Sequence, residues 1–402
     1  CGTLFPYTTL FRSIQESKPW MIYLQVSNTG TENSSEWRQR IGLVHNQLTG
    51  HDDIFKIDYV TASFDKSHAI MASYEAPLFD IDRVRWKVDG AWSEFVSSDI
   101  GILGEDFIGR QWSVGGEVIW NFYQKDDWFI DLVTGIRYQV IEVDNELTLV
   151  EESEPFLRPH VGVRTERLRA TNSLSAGVAL DWNLAEVVGT DEERVKFLGR
   201  GGVADDWMLV LYDASYSFYI EPLLAGGDVW TAAAPPVEML VHELAFSVRG
   251  QYNLNGDRII PQMQMTAGGL YTVRGYDESA AVGDHAVVFT AEYRYHLPRH
   301  FTPASEPGQL FSKPFHWAPA NAYARPDWDL IFRAFLDVGQ TSIEEQILDE
   351  QDHTLVGAGV GVELQIQRNL SLRVDWATAL EDVQPVNDAG DSRVHFVGTL
   401  LY

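Results

Sequence analysis

Among the residues able to do chemistry, one cation and two acids stand out by type and spacing. Arg274 lies in Gly268-Gly269-Leu270-Tyr271-Thr272-Val273-Arg274-Gly275-Tyr276, Glu292 in Phe289-Thr290-Ala291-Glu292-Tyr293-Arg294, and Asp337 in Phe335-Leu336-Asp337-Val338-Gly339. A guanidinium carries its donors in a planar fork, so it can bond two carboxylates at once. That chemistry is a charge-assisted clamp and makes no covalent bond. The sequence has no G-x-S-x-G elbow, no H-E-x-x-H and no P-loop, so neither an enzyme nor a cofactor is expected. His51-Asp52-Asp53 reads as a solvated acidic tip at a turn, and the 11 histidines show no ligand spacing. Gly199-Arg200-Gly201-Gly202 lacks the Lys-Ser/Thr ending of a phosphate cradle and reads as a flexible loop. The acidic stretch 142–154 offers carboxylates to divalent cations at a lipopolysaccharide surface, although such a charge run is usually just solvated. A single cysteine excludes an internal disulfide and a cysteine-rich metal site.

The elements that must position the clamp follow from hydropathy with a period of two. In Leu370-Ser371-Leu372-Arg373-Val374-Asp375-Trp376 one face is Leu, Leu, Val, Trp and the other Ser, Arg, Asp. Val356, Ala358, Val360, Val362, Leu364 and Ile366 likewise alternate with Gly357, Gly359, Gly361, Glu363 and Gln365. About sixteen such segments occur, an even number as bacterial membrane barrels require. They run from 19–29 and 37–47 to 369–380 and 392–402, and include 110–124, 154–168, 286–298, 327–341 and 354–366. A soluble sandwich also alternates, but aromatics cluster at these segment ends and charges occupy the second face, which suits a wet lumen. The phase of 327–341 turns Arg333, Phe335 and Asp337 inward, and that of 286–298 turns Glu292 inward beside Asp337. The expected fold is all-β, an antiparallel transmembrane barrel of outer-membrane type. Short links such as 125–126 and 367–369 read as periplasmic turns, and 185–205 and 255–285 as extracellular loops. Two long stretches, 221–240 and 299–326, fall at periplasmic turns against this rule.

With those strands in place, the chain resembles the superfamily of outer-membrane polypeptide-transport barrels. Val273-Arg274-Gly275-Tyr276 matches the VRGY tetrad of that family's sixth extracellular loop, ahead of Gly283-Asp284 and a Glu-Tyr-Arg strand. Phe335-Leu336-Asp337-Val338-Gly339 matches its Phe-x-Asp-x-Gly landmark. Within the superfamily, Tyr23 to Gly30, Trp37-Arg38-Gln39-Arg40 and Asn46 to Gly50 resemble the haemolysin secretion/activation transporters, the B components of two-partner secretion. The resemblance implies that loop six folds into the lumen, with Val273, Arg274, Gly275 and Tyr276 locked on wall residues Glu292, Phe335, Asp337 and Gly339. It implies export of an unfolded partner protein across the outer membrane of a Gram-negative-type bacterium, lipid and lipopolysaccharide around the barrel, and a terminal aromatic, Tyr402, read by the assembly machinery. A β-barrel insertase of the same superfamily and a passive porin are the alternative functions. The family also carries paired periplasmic polypeptide-transport-associated domains and a plug helix before strand one, and neither is read here.

Composition agrees with this. With 30 Lys plus Arg against 58 Asp plus Glu, the net charge of −28 repels phosphate backbones and excludes nucleic acid as a partner. A 45% apolar content with 13 Trp, 16 Tyr and 20 Phe argues against disorder. No run of about 18 apolar residues occurs, so a membrane-spanning helix is excluded while spanning strands are not. Thr3 to Ser13 resembles a translated sequencing adapter. Residues 1–13 are therefore set apart from a barrel domain over 14–402, and a missing signal peptide carries no information about location.

Overall fold

The computed structural model describes residues 18–402 except 32–33, 65–66, 80, 101–104, 146–149, 225–238, 322–323, 348–349 and 368. The adapter-like residues 1–13 lie outside these, as do most of 221–240 and the tip of 142–154. Sixteen strands form one closed barrel: β1 Trp20–Ser27, β2 Arg38–Asn46, β3 Ile54–Ala62, β4 Ser67–Pro77, β5 Val84–Ile100, β6 Glu105–Lys125, β7 Trp128–Asn145, β8 Val150–Leu168, β9 Asn172–Trp182, β10 Met208–Tyr219, β11 His242–Asn253, β12 His285–His296, β13 Trp328–Ser342, β14 His353–Ile366, β15 Leu370–Ala379 and β16 Ser392–Leu401. Each strand pairs antiparallel with the next, and β16 closes on β1 from Tyr23↔Leu401 to Ser27↔Val397. Closure removes the sheet edges, which is what allows a polar backbone to sit in hydrocarbon. No helix of the described residues is long and apolar enough to cross a membrane.

Alternation does the sorting. Along β13, Phe332 and Leu336 are 43% and 42% exposed on the outer face, whereas Phe335 and Asp337 are 6% and 0% exposed on the inner face. The antiparallel all-β barrel of about sixteen strands expected from the sequence is thus the fold. Some strands run further than expected. The segments anticipated at 110–124 and 154–168 begin at Glu105 and Val150, because β6 and β8 stay paired with their neighbours beyond the stretch where alternation can be read.

Among the described residues, the two larger apolar clusters lie at the loop end and under loop six. At the loop end, the connection between β9 and β10 brings Val195, Leu198, Val203 and Trp207 onto Ile141, Phe156, Ile259 and Ile260. Under loop six, Val273 and Tyr276 pack with Ala281, Val288, Leu355 and Val383. Loop six itself is held in shape by a short ribbon pairing Met265–Ala267 with Ala281–Gly283.

Candidate functional site

Antiparallel register sets β12, β13, β14 and β15 side by side, so inward residues from separate strands share one patch of wall. Thr290 pairs with Asp337 and Glu292 with Phe335 across β12 and β13, and Gly361 pairs with Asp375 across β14 and β15. Arg274 sits over this patch, 3% exposed. Its Nε and Nη2 donate to the two oxygens of Asp337 at 2.6 and 2.8 Å. Its Nη1 donates to Glu292 and to Asp375, at 3.0 Å each. The guanidinium carbon lies 3.3 Å from the centroid of the Phe335 ring, so the fork is bonded at its edge and stacked on its face. Glu292 is shared with Arg294 at 2.6 Å and Arg333 at 2.9 Å, and Asp375 with Arg373 at 2.9 Å.

The neighbours of Arg274 seat the turn. The Gly275 amide donates to His395 Nε2 at 3.2 Å, which requires that nitrogen to be unprotonated. The Tyr276 hydroxyl donates to the Glu381 carbonyl at 2.8 Å and accepts from the Val356 amide at 3.1 Å. Val273 is fully buried beside Gly339, where an added methyl would meet its Cγ2 at 2.7 Å. The glycine face of β14 serves the same end, since a methyl at Gly359 would strike the Phe335 ring at 2.6 Å. Gly275 has φ +99°, and a Cβ there would lie 2.7 Å from the carbonyl carbon of Thr378. A Gly275→Ala chain should assemble its barrel and lose the seat. Left-handed backbone costs about 1–2 kcal/mol before the clash is counted. Trypsin should then cut at Arg274 in the variant and spare it in the parent, and equal protection in both would refute this.

Each anticipated site residue therefore has a location. Val273, Arg274, Gly275 and Tyr276 meet Glu292, Phe335, Asp337 and Gly339 in one cluster. Tyr402 lies apart at the other end of β16, 70% exposed, with its ring 5.7 Å from that of Trp20 and the Lys18 ammonium 4.4 Å above it. Sequence reasoning named two acids for Arg274, and it missed the third, Asp375, as well as His395. Both face inward by strand phase, but their nearness to loop six depends on a register that alternation does not encode. Of His51-Asp52-Asp53, His51 and Asp52 are exposed at the turn as expected, and Asp53 alone departs from a solvated tip. Asp53 is fully buried and accepts from the Thr49 and His51 amides, while Asp52 bonds Arg85 at 2.9 Å. Among the described residues no group of three or more His, Cys, Asp or Glu side chains is placed to hold a metal ion.

A second cluster lies at the loop end. Arg200, expected in a flexible loop, is 8% exposed and grips the fully buried Asp284 at 2.5 and 2.9 Å. It also bonds the Ile259 carbonyl at 2.7 Å and Glu350 at 3.1 Å. Arg258 holds the same Glu350 at 2.5 and 2.9 Å, so three loops are clasped together. The hydrogen bonds from Arg258, then that from the Ile347 amide and those from Arg200, lower the Glu350 carboxyl from 4.5 to about 2. A lowered carboxylate contributes its stability in full above the ordinary value and loses it as pH falls toward the lowered one. Conductance in planar bilayers should be flat from about pH 7 to 5 and rise as pH falls toward about 2. Glu350→Gln should be more conductive at neutral pH and should lose that acid response, and an unaltered response would assign it to another group.

Away from the Arg274 cluster, along β5 to β10, a cavity of about 1120 Å³ is lined by Arg85, Asn121, Asp131, Arg164 and Asp213. Its wall mixes these charged and polar groups with apolar ones such as Ile119 and Phe129, and its charges are paired in part, as in Arg164 with Asp131 at 2.9 Å.

Comparison with known proteins adds to this geometry. Residues 235–364 match the family model described as haemolysin secretion/activation protein ShlB/FhaC/HecB. That span holds Arg274, Glu292 and Asp337 and stops before Asp375 and His395. Over 297 residues the chain is 22% identical to the heme/hemopexin transporter protein HuxB of Haemophilus influenzae (strain 86-028NP), covering 72% of this chain and 47% of HuxB. The chain thus spans about half the length of that curated relative. In structure it matches CdiB from Escherichia coli with a TM-score of 0.71 at 14% identity, over 97% of this chain and 64% of that one. BamA from Haemophilus ducreyi lacking POTRA domains 1-3 matches with a TM-score of 0.59 at 11% identity, over 96% of this chain and 71% of that one. At these identities the structural likeness is one of fold.

Proposed function

We propose that this chain, which resembles the haemolysin secretion/activation proteins in motif, family model and fold, is the barrel of a transporter that exports a partner polypeptide across the outer membrane. The observation that carries the reading is that the family-matched span 235–364 includes the tip of loop six and two of the acids its arginine bonds. In this reading loop six lies in the lumen with Arg274 as its lock on the wall, and the cavity along β5 to β10 is the path left to the substrate. On the same reading the partner travels unfolded. Export needs no cofactor: the partner folds outside, and folding itself opposes its return. Lipid and lipopolysaccharide surround the apolar band, and Tyr402 is the residue the assembly machinery reads.

The test is export. The full-length protein is expressed in a Gram-negative host together with a candidate secreted partner, and the partner is measured in the medium. Partner in the medium only when the barrel is present is the expected result. Partner retained in the periplasm, with the yield of other folded barrels raised, would instead mark an insertase. Steady conductance with no export would mark a porin.

A further inference from the structure

Between β12 and β13 the chain runs from Leu297 to Asp327, although a tight reversal suffices to join two such strands, as Asp126 and Asp127 join β6 to β7. This excursion turns toward the outer face. Strand phase puts Tyr293, Tyr295, Trp328 and Phe332 outward in the lipid-facing band, with the Tyr295 and Phe332 rings 6.4 Å apart. Trp328 donates its Nε1 to the Trp317 carbonyl at 3.0 Å, and the two rings lie 5.9 Å apart. Phe301 stands 6.4 Å from Trp328, and Phe315 meets Trp317 edge-on at 4.7 Å. Phe315 in turn closes a two-stranded ribbon that pairs Gly308–Leu310 with Lys313–Phe315.

The tip of that ribbon has a left-handed backbone. Phe311 and Ser312 have φ of 49° and 65°, a two-residue reversal that asparagine and glycine normally fill. Phe311 is 92% exposed, so a bulky aromatic occupies a disfavoured backbone region with no protein packing to offset it among the described residues. Lys313 beside it is exposed too. We infer that the ribbon Gly308–Phe315 is an interfacial anchor: it sets Phe311 among the acyl chains of the membrane leaflet at this end of the barrel, with Lys313 at the phospholipid headgroups. The partner is the bilayer because the exposed Trp317 ring continues the lipid-facing band from Trp328 toward the ribbon, which the buried Phe315 ties to it. An aromatic tip with an adjacent cation suits an interface that is apolar below and anionic above. The inference needs only that the barrel sits in a bilayer, so it stands apart from export.

The test carries Cys1→Ser and Phe311→Cys, with an environment-sensitive nitrobenzoxadiazole on the new thiol. The full chain is placed in nanodiscs of phosphatidylethanolamine and phosphatidylglycerol, which leave both faces open to solute. The label at position 311 is expected to emit at shorter wavelength, to resist iodide, and to lose most of its emission to lipids brominated high on the acyl chain. The same label at Ala389→Cys, in the connection between β15 and β16, is expected to be quenched by iodide and spared by brominated lipid. Iodide quenching at 311 equal to that at 389 overturns the inference. Resistance to iodide without loss to brominated lipid also overturns it, since it puts the tip against protein.

Discussion

An Arg274→Ala barrel is expected to reach the membrane folded and to export at a small fraction of the parental rate. Glu292 keeps Arg294 and Arg333, and Asp375 keeps Arg373. Asp337 keeps no cation: it is fully buried, Arg274 is its one ion-pair partner among the described residues, and only the backbone amide of residue 274, at 3.1 Å, is left to it. Removing one member of a buried pair costs about 3–5 kcal/mol, because the charge left behind has neither water nor partner. At the lower figure the balance between seated and released loop six shifts by on the order of a hundredfold. The β-ladder is untouched, so heat-modifiable migration of the barrel should be unchanged while partner in the medium falls by about tenfold or more. Arg274→Lys should not restore export, since a point charge cannot bond both oxygens of Asp337 and stack on Phe335 together. Arg274→Ala with Asp337→Asn should recover part of the loss, because the stranded charge is gone. Normal export by the single alanine variant would end the lock reading.

The second large effect is expected from Arg200→Ala at the loop end. Asp284 then retains the Glu344 amide at 2.9 Å and Gln264 at 3.2 Å as donors, but no cation. The burial argument gives a similar loss, about 3–5 kcal/mol, and here it falls on the contacts between loops. Hydrogen exchange at the backbone of 197–203 and 343–347 should accelerate on the order of a hundredfold, while β12 to β15 keep their protection. Bilayer conductance should rise with it. Acceleration that spread through the strands would mean that Arg200 supports the barrel as a whole and not the clasp.

How much of this was legible in the sequence depends on how far apart the interacting residues lie. The strands were legible because each is a local pattern: Leu370 to Trp376 declares both faces of β15 without reference to any neighbour. The ends of β6 and β8 were not, because at Glu105 and Val150 these strands stay paired beyond the stretch where alternation can be read. The tip of loop six was visible as a motif. Its third acid was hidden because Asp375 stands 101 residues from Arg274 and meets it only through the register of β14 with β15. Arg200 was misread for the same reason. A Gly-Arg-Gly-Gly stretch is locally a loop, and the partner that buries its arginine lies 84 residues away. The ribbon at Phe311 was seen only as excess length, since a stack of rings from Trp328 to Phe315 has no period.

The partners of loop six have an order in time as well as in space. Those that seat its tip come from β12 to β16, all later in the chain, and the Gly275 amide waits for His395, 120 residues on. A chain emerging from its N-terminus cannot complete this cluster until its last strand is present and in register. One residue of slip along β15 or β16 would turn Asp375 or His395 outward and leave the tip without its acceptors. Occupancy of the cluster therefore reports that the final strands were laid down correctly, so a chain stalled before β16 should be distinguishable from a finished one by loop six alone.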